Sequence, residues 1–174
     1  YLGNRADNLE TAIACHEEAL RLILPGTHPR QWGSLHNNLA NLYVERVLGP
    51  RDENLETAIE SYHEALKVRD PESDPRDWAA TTMNLGVACL NRLRGDRGKN
   101  LEEAIQYLEA SLRVRTREAA PREWASAMTN LAQHHAFDLN RGNPLAARFE
   151  TIIAAAHVKP VAIRIAAIEI AGAD

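Results

Sequence analysis

Apolar residues along this chain recur at helical spacing, not in alternation. In the stretch beginning at Asn54, Leu55, Ala58, Ile59, Tyr62, Ala65 and Leu66 fall on one stripe, with Glu, Lys and Arg filling the other face. The same phrase recurs every 46 residues: NLETAIACHEEALRL from Asn8, NLETAIESYHEALKV from Asn54 and NLEEAIQYLEASLRV from Asn100. A second phrase keeps the same period, PRQW at Pro29, PRDW at Pro75 and PREW at Pro121. Two interleaved phrases sharing one period predict a repeated unit of two helices.

Punctuation agrees with two helices per unit. Pro29, Pro75 and Pro121 suit the first helical position, where a missing N–H costs nothing. Asp74 is placed as an N-cap, and Asp77 lies in the first turn, where negative charge meets the helix dipole favourably. These first helices run about 17 residues through Trp, an Asn-Leu pair and, in two copies, Arg46 or Arg92, before Gly49, Gly95 or Gly142 permits a stop. Asn8, Asn54 and Asn100 read as N-caps of the second helices, and Asn100 with Glu103 approximates a capping box. Short connections make consecutive helices antiparallel, and each pair needs its neighbour to cover the remaining apolar surface.

At these residues the sequence resembles the tetratricopeptide repeat. Its first-helix signature of large residue, Leu, Gly or Ala, and aromatic fits His36, Leu39, Ala40, Tyr43, then Thr82, Leu85, Gly86, Cys89, then Met128, Leu131, Ala132, His135. On the second helices, Ala12, His16, Ala19, then Ala58, Tyr62, Ala65, then Ala104, Leu108, Ser111 keep a small-large-small rhythm. The period exceeds the usual 34 by two six-residue extensions, one in the Gly- and Arg-rich turns LGPRDEN and RGDRGKN, the other carrying the Trp. This long variant is similar to repeats in large bacterial multidomain proteins, often beside caspase-like CHAT protease domains or nucleotide-dependent signalling modules. The resemblance covers residues 1–138. It implies an all-α fold, a right-handed αα-superhelix of about eight antiparallel helices. The array divides into a half repeat 1–28, repeats 29–74 and 75–120, a divergent repeat 121–158 and a C-terminal helix 159–174. That last helix, from Pro160, is apolar on most sides apart from Arg164 and Glu169.

The resemblance also implies a function: first helices line a concave groove that holds a peptide or protein. By register the groove positions are Ser34, Asn37, Asn38 and Asn41, then Ala80, Met83, Asn84 and Val87, then Ser126, Thr129, Asn130 and Gln133. Asn38, Asn84 and Asn130 share one repeat position, and a ladder of amides, each donor and acceptor, can hold an extended peptide backbone. The alternative is that each Asn ties a neighbouring helix or loop. Family members that capture a chain terminus use Lys and Arg where this chain has Asn37, Ser126 and Asn130, so an acidic terminus is disfavoured as ligand.

Composition narrows the remaining classes. The 174 residues are 45% hydrophobic and 25% charged, which suits one compact domain or repeat array and not a disordered chain. With 20 basic and 24 acidic residues interleaved, net charge is -4 and no basic stripe invites nucleic acid. No apolar run reaches the roughly 20 residues that span a bilayer. Cys15 and Cys89 stand far apart, giving neither a disulfide framework nor a close-spaced metal set, so a cytoplasmic setting is expected. His134 and His135 point about 100° apart on a helix and do not share one ion. No phosphate loop, nucleophile elbow or HExxH is present, and the many Glu residues read as solvated, so neither enzyme activity nor a cofactor is expected. Trp32, Trp78 and Trp124 read as packing residues in preference to a stacking platform. Arg5, Arg51 and Arg97 read as bonding helix-end carbonyls or a neighbouring Glu in preference to an anion. The expected role is a non-enzymatic scaffold for a protein or peptide. Alternatives are a regulatory or autoinhibitory segment of a larger bacterial signalling or protease protein, and self-association through exposed terminal helices.

Overall fold

The computed structural model describes residues 4–116, 118–122, 124–125 and 127–129. Their fold class is all-α, with no strand among them. Two compact units divide the chain, Tyr1–Ser111 and Leu112–Asp174. The first unit is built from α1 (Arg5–Leu22), α2 (Pro29–Glu45), α3 (Arg51–Leu66), α4 (Pro75–Asn91) and most of α5 (Arg97–Val114).

Helix starts show how the punctuation operates. Pro29 and Pro75 occupy the first turns of α2 and α4, as their phrases predict, and both helices are 17 residues long. Asp74 is the N-cap of α4, although its side chain makes no capping bond. The second helices start earlier than the Asn residues suggest. Asn4 caps α1, its side chain accepting from Ala6 N at 3.2 Å; Pro50 precedes α3; and Asp96 Oδ1 accepts from Lys99 N at 2.9 Å at the head of α5. Asn8, Asn54 and Asn100 are therefore not N-caps but residues one turn inside, and the capping box at Asn100 and Glu103 is not formed. The physical reason lies just after each glycine, where Asn4, Pro50 and Asp96 are themselves good starters, by side-chain capping or by a preset φ.

Asn54 and Asn100 do a different job. Asn54 Nδ2 donates to Leu48 O at 2.9 Å and Asn100 Nδ2 to Arg94 O at 2.8 Å, each tying its helix to the loop before it from a buried position. That loop bends at Gly49 and Gly95, whose φ values of 77° and 82° lie in the left-handed region that side chains disfavour. The glycines turn the chain after the helix has ended. α2 and α4 stop at Glu45 and Asn91, with Arg46 and Arg92 already extended at the C-cap.

Contacts along the chain run from helix to next helix: α1 against α2, α2 against α3, and α3 against α4, with α2 also touching α4. Pairings of Glu17 with Tyr43 and Glu10 with Arg46, and of Asn41 with Tyr62 and Arg46 with Asn54, show that α1, α2 and α3 alternate in direction. α4 meets α5 closely. A Cβ on Gly86 would stand 2.9 Å from Leu108 Cγ and 3.2 Å from Ala104 O, and Ser111 Oγ donates to Ala79 O at 2.8 Å. The core is the periodic stripe, in which Leu55, Ala58, Ile59, Tyr62 and Ala65 are buried with Leu85, Leu90, Leu101, Ile105 and Leu108. Each fully buried Leu contributes roughly 1.5–3 kcal/mol. The predicted stripe is thereby realised except at Leu66, which is half-buried.

In the second unit the described part is local. Residues 121–122, 124–125 and 127–129 are helical, led in by Ala120 N donating to Thr116 O and followed by Trp124 N donating to Ala120 O, both at 2.9 Å. Ala127 and Met128 are buried. The expected divergent helix after Pro144 and the C-terminal helix from Pro160 lie outside the described residues.

Candidate interaction surface on the inner helices

Helices α2 and α4 carry the positions singled out for a groove, and the fold brings two sets of them side by side. Asn37 Oδ1 accepts from Thr81 Oγ1 at 3.2 Å, and Asn41 Oδ1 accepts from Asn84 Nδ2 at 3.2 Å, so both contacts cross from α2 to α4. From α3, Tyr62 OH also donates to Asn41 Oδ1 at 2.6 Å. Burial pushes the Tyr62 phenol well above its ordinary range, so it stays a neutral donor. Ser34 Oγ accepts from Arg69 Nη2 at 3.3 Å, while Arg69 Nη1 donates to Asp77 O at 3.1 Å and to the Thr81 hydroxyl.

Arg69 was not legible as part of this seam. It is buried, and loss of water pulls its pKa down, opposed by Asp77 and Asp74; Asp77 Oδ2 lies 3.9 Å away. A guanidinium remains charged there and needs its donors filled, which the two hydroxyls and the carbonyl do. The only sequence signal was an Arg after Val in the phrases KVRD and RVRT.

Exposure separates the candidates. Asn38 is exposed and accepts from its neighbour Asn37 Nδ2 at 3.4 Å. Asn37, Asn41, Met83, Asn84 and Val87 are half-buried, as are Ser34 and Ala80. Asn38 and Asn84 share a repeat position yet differ: the first faces solvent, while the second ties a neighbouring helix. Thr129 is exposed, its hydroxyl donating to Ala125 O at 2.9 Å. Ser126, Asn130 and Gln133 lie outside the described residues, as do His134 and His135.

A second pattern runs along the loop edge. Arg46 grips Glu10 through Nε and Nη2 at 2.7 and 2.6 Å, and 46 residues later Arg92 grips Glu56 at 2.8 and 2.6 Å. Hydrogen bonds from these guanidinium groups hold both carboxyls below the usual carboxylate range, and Arg94 does the same for Asp52. The reading of the many Glu residues as solvated is therefore corrected at Glu10 and Glu56, which Arg46 and Arg92 hold. Arg51 and Arg97 donate to Val44 O and Leu90 O, the helix-end carbonyls, and Arg5 meets Glu45 at 3.4 Å. Trp32 packs on His36 with ring centroids 4.5 Å apart, and Trp78 is half-buried.

Among the described residues no helix is long and apolar enough to cross a membrane. Comparison with protein-family models, curated proteins and solved structures finds no match.

Proposed function

We propose that this chain is a non-enzymatic interaction scaffold of tetratricopeptide type, a right-handed superhelix of about eight helices that binds a peptide or protein along α2 and α4. The observation that carries the reading is the amide-rich surface shared by α2 and α4, where Asn38 is exposed and Asn37, Asn41, Asn84, Met83 and Val87 are partly so. Asn41 and Asn84 are fixed by their mutual bond and by Tyr62, so their remaining donors and acceptors are pre-oriented. Pre-orientation lowers the entropy cost of holding an extended backbone. The 46-residue period supports the array, since the inner helices of successive units present the same face.

Selection from a peptide-display library against the full chain tests the reading. Selected peptides are expected to lose binding to Asn38→Arg and Met83→Arg variants whose helix content is unchanged. Failure to select any peptide, or selected peptides indifferent to both variants, overturns it.

A further inference from the structure

A side-chain amide carries two hydrogens to donate and one oxygen that accepts, and on α2 and α4 the groups beneath decide which end is spent. Arg69, buried at the seam, has donors only, and it gives to the Thr81 hydroxyl and to Asp77 O. Asp77 O lies 3.0 Å from that hydroxyl too, but it already holds Arg69 and the helix bond from Thr81 N, which fill its two lone pairs. The one hydrogen of Thr81 therefore goes to Asn37 Oδ1, and Asn37 Nδ2 in turn donates to Asn38 Oδ1. A second chain ends at Asn41. Tyr62 OH stands 2.6 Å from it, an O–H···O length shorter than the usual N–H···O, so the phenol meets the amide's oxygen and not its nitrogen. Asn84 Nδ2 donates to the same oxygen.

The outcome is a surface with a polarity. The oxygens of Asn37, Asn38 and Asn41 are engaged, and of the four only Asn84 Oδ1 accepts nothing. Asn38 and Asn41 keep both amide hydrogens and Asn37 and Asn84 keep one each, six hydrogens in all. An ordinary extended peptide brings as many N–H groups as carbonyls, and most of its N–H groups find no acceptor on these amides. Proline brings a carbonyl and no N–H, and the polyproline helix has no internal hydrogen bonds, so its carbonyls stay available. Asn37 and Asn41 stand four residues apart, about 6 Å along α2, and two residues of polyproline helix also advance about 6 Å. Ala80 and Val87, half-buried on α4, give proline rings an apolar contact.

Resting on the interaction surface argued above, we propose that its occupant is an uncharged, proline-rich extended segment of a partner protein, held through its carbonyls by the amide hydrogens of Asn37, Asn38, Asn41 and Asn84. Anions are acceptors as well, but Ser34, Ala80, Met83 and Val87 around the amides carry no charge. A carboxylate or phosphate would shed its water there without gaining a cation. Tyr62 and Thr81 are positioning residues, which set the end of each amide that a ligand meets.

Fluorescence anisotropy with the full chain and three peptides of equal length, built from repeated Pro-Pro-Ala, Ser-Gln-Ala or Pro-Asp-Ala, tests the proposal. The Pro-Pro-Ala peptide is expected to bind about tenfold tighter than either of the others. Asn38→Asp, an isosteric change at an exposed position that exchanges donors for an acceptor, weakens it by about tenfold. Tyr62→Phe and Thr81→Val, with helix content unchanged, let the amides of Asn41 and Asn37 turn, so the preference over Ser-Gln-Ala falls to about threefold or less. Stiffness of the proline peptide alone would leave that preference intact in both variants, and this result overturns the proposal. Tighter binding of Pro-Asp-Ala overturns it in favour of an anion site. Ser-Gln-Ala bound as well as Pro-Pro-Ala, and lost on Met83→Arg, overturns it while the scaffold reading stands. No binding of any peptide up to roughly 1 mM overturns both.

Discussion

Replacing His36 by Met, the residue two periods later at position 128, is expected to stabilise the protein. His36 Nδ1 and Nε2 are both buried and have no hydrogen-bond partner. An unsatisfied buried polar group costs about 1–3 kcal/mol, and the half-buried setting of the ring keeps the cost at the lower end. Against this gain stands the loss of the tilted contact with Trp32, worth about 0.5–1.5 kcal/mol for an aromatic pair. A thioether near the indole restores about 0.3–1.5 kcal/mol of that. The net expectation is a gain of about 1 kcal/mol at pH 8, read as a higher urea midpoint by circular dichroism with an unchanged slope.

The same residue fixes a pH dependence. Burial lowers the His36 pKa from its ordinary 6.5; nearby Glu64 opposes this and Lys67 adds to it. The folded state therefore binds the proton more weakly than the unfolded chain. The contribution is fully present above the ordinary value and is lost as pH falls through that value toward the lower folded one. The advantage of His36→Met should accordingly widen between pH 8 and pH 5. A variant less stable than the parent at pH 8, or one whose advantage stays constant across that range, refutes the reasoning.

Glu56→Gln is expected to cost about 1 kcal/mol, above an exposed pair because both partners are mostly covered; a double-mutant cycle with Arg92→Gln should return most of it as coupling. Since Glu56 titrates below its ordinary range, that contribution holds above pH 4.5 and fades as pH falls through the lower folded value, which a urea series from pH 6 to pH 3 measures. Gly86→Ala gains up to about 1 kcal/mol in helix propensity, but its Cβ meets Leu108 and Ala104 at 2.9 and 3.2 Å. A net loss of about 1–2 kcal/mol is expected in denaturant titration. Asn54→Ala deletes the buried bond to Leu48 O and should cost about 1–2 kcal/mol, with amide exchange of the Arg46–Pro50 loop accelerated.

Periodicity made the helices and their partners legible, because burial of one stripe is what the 3.6-residue repeat encodes. Leu55, Ala58, Ile59, Tyr62 and Ala65 were identifiable for that reason. Helix starts were misplaced because Asn is a strong cap in isolation, while Asn54 and Asn100 use their amides on carbonyls six residues back, a loop geometry that no local preference announces. For the candidate surface, the register located Asn37, Asn41 and Asn84 correctly on adjoining helices. It did not tell which amides would be consumed, since that depends on Tyr62 and Thr81 arriving from other elements. Arg69 was missed because a buried cation has no periodic signature; only its surrounding hydroxyls make it tolerable.

The seam between α2 and α4 is stitched by amides, hydroxyls and a guanidinium, whereas Gly86 and Ala104 lock α4 to α5 by steric fit. The bond between the half-buried amides Asn41 and Asn84 can trade partners with water at small net cost, but interlocked side chains cannot slide without opening voids. A change in angle is therefore opposed less by shape at the α2–α4 seam than at the α4–α5 contact, where any rotation must first part Gly86 from Leu108 and Ala104.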